Sequence, residues 1–142
     1  MANLTDSVKF EVFADETKNN GSPTPIPASG WVDTLGWNQT TWLLFLGAMG
    51  SGATVNMKIQ ESDDAISGAD IAGKALSEIP DTGGKLGYAI EVPKTTASKR
   101  WQRAVCVVSN HAPGAALSII AAKSAYSTVV SDVASLDLGQ RV

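Results

Sequence analysis

Four carboxylates, Glu61, Asp63, Asp64 and Asp70, crowd one short stretch and invite a calcium site. A hard cation needs several oxygen ligands converging on one point. These acids lack the spacing of a calcium loop, and they read instead as a polar turn in which Ser62 and the aspartates satisfy backbone groups. Gly47, Gly50 and Gly52 give a phosphate-loop outline. A strand pattern follows them rather than a helix, so no helix N-terminus would face a phosphate. His111 is the sole histidine, set beside Pro113 in a turn. Without a nucleophile-elbow pattern it makes no triad. Cys106 is the only cysteine. It excludes an intramolecular disulfide or a cysteine metal cluster, and in an apolar run it reads as a small core residue. The expectation is no enzyme, no cofactor and no metal.

Aromatic and basic residues remain. Trp42 and Trp101 lie on apolar strands and read as core. Trp31 and Trp37 flank a loop and a strand start. They are either interface anchors, a role in which tryptophan is enriched, or an exposed pair that stacks on sugar rings. Lys94, Lys99, Arg100 and Arg103 form the one basic cluster, either a solvated strand end or a contact for an acidic surface.

The elements that must position these residues are strands. Val55, Met57 and Ile59 alternate with Thr54, Asn56, Lys58 and Gln60, a period of two that marks a strand with one buried face. Ser7 to Ala14 alternates Val8, Phe10 and Val12 against Ser7, Lys9 and Glu11. Thr40 to Ala48 is apolar on both faces, so it must be covered on both sides. The glycine-rich turn after it predicts a β-hairpin with Ala53 to Glu61. Ala69 to Ala72 predicts an edge strand, and Lys85 to Val92, Lys99 to Ser109 and Ala115 to Tyr126 predict three more. The last is alanine-rich, but Ile119-Ile120 and the preceding turn favour strand over helix. Pro23, Pro25 and Pro27 at alternating positions predict an extended arm, because proline fixes its dihedral and lacks a donor.

The chain of 142 residues is long enough for one domain with a core. At 44% hydrophobic and 18% charged it is globular and slightly poor in charge. A net charge of -3 gives no nucleic-acid footprint. Trp42 to Leu46, the longest apolar run, falls far short of the roughly 20 residues of a spanning helix. The first ten residues show no secretory pattern. The fold class expected is all-β: a single β-sandwich, jelly-roll-like or immunoglobulin-like, of about seven strands. An N-terminal strand and proline-rich arm would occupy 1–30, the core 31–126 and a C-terminal arm 127–142.

Several segments, in order, resemble a family of small all-β structural proteins of tailed-phage virions. The stretch from Lys58 to Asp64, a short turn, then Asp70-Ile71-Ala72-Gly73 carries the resemblance most clearly. Val32-Asp33-Thr34-Leu35-Gly36-Trp37 before the strand at Thr41, then Leu86-Gly87-Tyr88, Lys99-Arg100-Trp101-Gln102-Arg103 and His111-Ala112-Pro113, extend it. Together they cover roughly residues 30 to 115. The resemblance implies a capsid decoration (cement) protein on the outer shell. The major capsid protein would be its partner, and a homotrimer its assembly. The residues expected at the interface are Pro23, Pro25, Pro27, Trp31 and Trp37 in the N-terminal part and Val129, Val130, Leu136 and Leu138 in the C-terminal part. A tail-associated or head-fibre protein, and a carbohydrate-binding module, are the alternatives. No nucleic acid and no membrane is expected as a partner.

Overall fold

The computed structural model describes residues 8–18, 21–28, 30–82, 87–109, 114–125 and 138–141. It is all-β, two sheets packed face to face. The five-stranded sheet A holds β1 (Val8–Lys18), β4 (Gln39–Met49), β8 (Gly87–Pro93), β10 (Ala115–Ser124) and β11 (Leu138–Arg141), in the order β1-β10-β4-β8-β11. Sheet B holds β2 (Thr24–Ile26), β9 (Trp101–Ser109), β5 (Thr54–Ser62) and β6 (Ala69–Ala75) in that order. The two-residue strands β3 (Val32–Asp33) and β7 (Ile79–Pro80) join its flanks, on β9 and β5. The seven strands expected from sequence are present, and the added ones are all short. Among the described residues no helix is long and apolar enough to cross a membrane.

Period-two burial builds the core between the sheets. Trp42, Leu44 and Leu46 of β4 and Leu117, Ile119 and Ala121 of β10 project from sheet A. Val55, Met57 and Ile59 of β5 and Ala104, Cys106 and Val108 of β9 meet them from sheet B. Strand β10 alternates without a break, which a helical alanine-rich segment could not do.

The hairpin expected between β4 and β5 is not formed. Strand β4 pairs with β10 and β8, while β5 pairs with β9, β6 and β7 in the opposite sheet. Each strand has one strongly apolar face, and the two faces are buried against each other across the sandwich. The turn at Gly50–Ala53 therefore arches between sheets. The Gly50 N–H donates to Gly114 O at 2.6 Å, and the Gly52 N–H, at φ +78°, donates to Asp81 Oδ2 at 2.7 Å.

The strand expected near the N-terminus is present, and the described part of the C-terminal segment adds a short strand. Strand β1 pairs within the same chain, antiparallel to β10. Pro25 sits inside β2, opposite Val105 at the edge of sheet B, where a missing backbone donor is tolerated. Ile26 beside it is buried in the core. At the other end, β11 is a parallel edge strand on β8. Over their described residues both arms are woven into the sheets.

Candidate interaction surfaces

Strand β1 is turned inside out. The strand pairing puts Glu11 opposite Ala121 and Phe13 opposite Ile119, both fully buried, so this phase faces the core. The apolar phase faces outward: Phe10 is 57% exposed and Val12 70%. The cause lies on β10. Lys123 points inward with its side chain only 4% exposed. Its Nζ reaches Glu11 Oε1 at 2.6 Å and Asp33 O at 3.0 Å. A desolvated ammonium requires a carboxylate nearby. Shifting β1 by one residue would bury Val12 and Phe10 but carry Glu11 to the far face. Phe13 completes the inward phase, its ring stacked on Trp42 at 6.2 Å.

The outward phase continues across the sheet. Val12 lies opposite Ile120, Ile120 opposite Leu43, and Leu43 opposite Ala89. Leu43 and Ile120 are half-buried, and so is Phe45 one step along β4. Next to Phe45 a groove of about 190 Å³ opens between β4 and β10, lined by Gly47, Ala116 and Ser118 among others. The β4–β10 pairing shifts register there, and a Cβ at Gly47 would stand 3.3 Å from that of Ala116. The outer face of sheet A thus carries an apolar row ending at an exposed edge, the kind of patch that marks contact surfaces.

The expected interface residues are dispersed. Pro23 is exposed, while Pro25 and Pro27 are half-buried beside β9. Trp31 is half-buried on the outer face of sheet B, with the Arg103 guanidinium 4.1 Å from its ring centre. Gly68 packs so closely on this indole that a Cβ there would fall 2.5 Å from Trp31 Cη2. Arg103 Nε donates to Gln60 Oε1 at 3.0 Å, Gln60 Nε2 to Asp70 Oδ1 at 2.8 Å, and Lys58 Nζ to Asp70 Oδ2 at 2.6 Å. Trp37 stands elsewhere, after the turn at Leu35-Gly36, with Lys123 Nζ 5.9 Å from its ring centre. Each indole already has a cation of its own chain beside it, and among the described residues the stacked ring pair is Phe13 with Trp42. Leu138 opens β11, opposite Gly87. Val129, Val130 and Leu136 lie outside the described residues. Trp42 is core as expected, but Trp101 is half-buried on the outer face under the Arg100 guanidinium, 4.7 Å from the ring centre. The alternation of β9 puts Gln102 and Ala104 inward and so turns Trp101 outward. Sequence inspection missed Phe10 and Val12, because alternation reveals two faces without saying which one is buried.

The acidic stretch is built from separate bonds. Asp64 Oδ1 accepts from the Ile66 N–H at 2.8 Å, the Ser67 N–H at 2.9 Å and Ser62 Oγ at 2.8 Å. Asp63 pairs with Lys99 at 3.1 Å, and Glu61 Oε2 accepts from the Lys99 N–H at 3.1 Å. Among the described residues no three histidine, cysteine or acidic side chains are grouped to hold a metal. The Ser67 and Ile66 amides, with Ser62, lower the Asp64 carboxyl from 3.8 to about 2. Two hydrogen bonds from Arg100, at 2.9 and 2.7 Å, chiefly lower Asp33 to about 2. Both groups thus bind their proton more weakly folded than unfolded. Their stabilisation is complete above about pH 4 and is lost as pH falls toward about 2. Thermal melts are expected to be level from pH 7 to about 5 and to drop between about pH 4 and 2. Asp64→Asn should flatten part of that drop, and an unchanged acid slope in Asp33→Asn/Asp64→Asn would refute the assignment.

The chain matches no known protein family, no curated protein and no solved structure.

Proposed function

We propose that this protein is a virion structural protein of a tailed phage, and specifically a capsid decoration protein that cements the outer shell at subunit junctions. The sequence resemblance across roughly residues 30 to 115 suggests the class. One structural observation supports an adhesive role: the apolar row from the half-buried Leu43 and Ile120 to the exposed Val12. A protein that acts by contact needs such a face and no catalytic centre. The partner is the major capsid protein. Binding only to the assembled shell adds free energy to that state alone, so shell stability rises by mass action. Many copies on a repeating lattice multiply weak contacts through avidity.

The test is cryo-electron microscopy of the particle that carries this chain. Density is expected over capsid subunit junctions, with the outer face of sheet A or the chain termini touching the shell. Density confined to the tail would replace the cement reading with a tail role. Absence from the particle would overturn both.

A further inference from the structure

We propose that two copies of this chain pair edge to edge through β1, antiparallel, about a two-fold axis at Phe10. The inference is independent of the virion reading and concerns the isolated protein. Among the described residues β1 is the terminal strand of sheet A, so one side of it presents unpaired N–H and C=O groups. From Val8 to Phe13 its register with β10 runs without interruption, giving a regular edge. The edge of sheet B at β6 differs. It is largely exposed and carries the charged Asp70 and Lys74, its pairing with β5 shifts register, and Gly73 lies at φ +72°. Those are devices that blunt an edge; over Val8–Phe13 β1 has neither a register shift nor a glycine at positive φ, and its two charges, Lys9 and Glu11, are of opposite sign.

The occupant is a second copy because the strand complements itself in one register. Two-fold pairing requires opposed residues to share a face, so the axis must pass through a residue. An axis at Phe10 sets Phe10 opposite Phe10 of the other copy, Lys9 opposite Glu11, and Val8 opposite Val12. Two oppositely charged pairs and three apolar pairs then form across the junction. An axis at Lys9 or at Glu11 would place like charges directly opposite, which is destabilising. An axis at Val12 forms no charge pair within the uninterrupted stretch Val8–Phe13, and sets Lys9 only against Asp15, inside the register shift that follows Phe13. Lys9 is placed to reach across, since its side chain is 59% exposed and its ion pair with Glu11 of its own strand is long, at 3.9 Å. The pairing is isologous and closes at two. It joins two A sheets and runs their apolar outer rows into one surface.

The full chain in solution tests this. Sedimentation equilibrium is expected to show a species of twice 14.8 kDa that dissociates on dilution. Lys9→Glu turns both charge pairs repulsive and should weaken the dimer about tenfold or more. Register is read by cross-linking. Phe10→Cys should oxidise to a covalent dimer, because directly opposed residues have the Cα spacing a disulfide needs. Val12→Cys alone should not, whereas Val8→Cys mixed with Val12→Cys should. Native Cys106 is buried at 2% exposure and leaves the reading clean. Circular dichroism confirms that each variant is folded. A monomer at every concentration, the trimer that the family resemblance implies, an open series of larger species, or cross-linking at Val12→Cys in place of Phe10→Cys would each overturn the proposal.

Discussion

Trp42→Ala is expected to lower stability by about 3–5 kcal/mol, the cost of removing a large aromatic from a core. Trp42 has no exposed surface and sits in the cluster that joins the two sheets. Three losses combine. The indole leaves a cavity that β4, paired on both sides, cannot close by moving. Its Nε1–H donates to Gln102 Oε1 at 3.3 Å, and Gln102, 3% exposed, would lose that partner. Phe13 would lose the ring it stacks on, at an interplanar angle of 11°, which loosens β1 as well. Domains of this size are stable by roughly 5–15 kcal/mol, so the variant should be near its unfolding threshold at 37 °C. Urea denaturation followed by circular dichroism measures the loss. A change below about 1 kcal/mol would contradict the burial of the indole.

Glu11→Ala is expected to cost about 2–4 kcal/mol, at and below the range for breaking a buried ion pair because Glu11 is 30% exposed. The penalty lies with the residue left behind. Lys123 keeps its buried position, with Asp33 O as a neutral acceptor in place of a carboxylate. The amides of β1 should then exchange faster than those of β4, since the pair and Phe13 bind this strand to the core. Glu11→Leu/Lys123→Met should recover most of the loss, because apolar pairs replace buried ion pairs with little or no penalty. If the double variant is as unstable as Glu11→Ala, the damage comes from lost packing and not from a stranded charge.

The main strands were legible because each carries an unbroken period of two or a dense β-branched and aromatic run. Val55, Met57 and Ile59 are all buried as that period requires. Cys106 and Trp42 were legible as core for the same reason. The short strands β2, β3 and β7 were not, since two or three residues hold no period and are strands only because β9 and β5 lie beside them. Pro25 illustrates the difficulty: a proline-rich stretch reads as a free arm, yet an edge position accepts it. Trp31 could not be placed from sequence either. Its environment comes from Arg103 and Gly68, distant along the chain and adjacent only in the sheet.

By itself the sequence determined that the chain is all-β, that its core residues lie on alternating positions, and that Asp63 and Asp64 sit in a turn, whereas Glu61 and Asp70 fall in β5 and β6. These properties are local, set by side-chain alternation and by the hydrogen-bonding habits of serine and aspartate within a few residues. The tertiary structure alone decided which strands share a sheet and which face of β1 meets water. Both depend on partners far apart in sequence. Strands β4 and β5 belong to opposite sheets because their apolar faces are buried against each other, although a glycine turn joins them. Strand β1 shows Phe10 and Val12 to solvent because Lys123, more than a hundred residues away, needs the carboxylate of Glu11 on the inside.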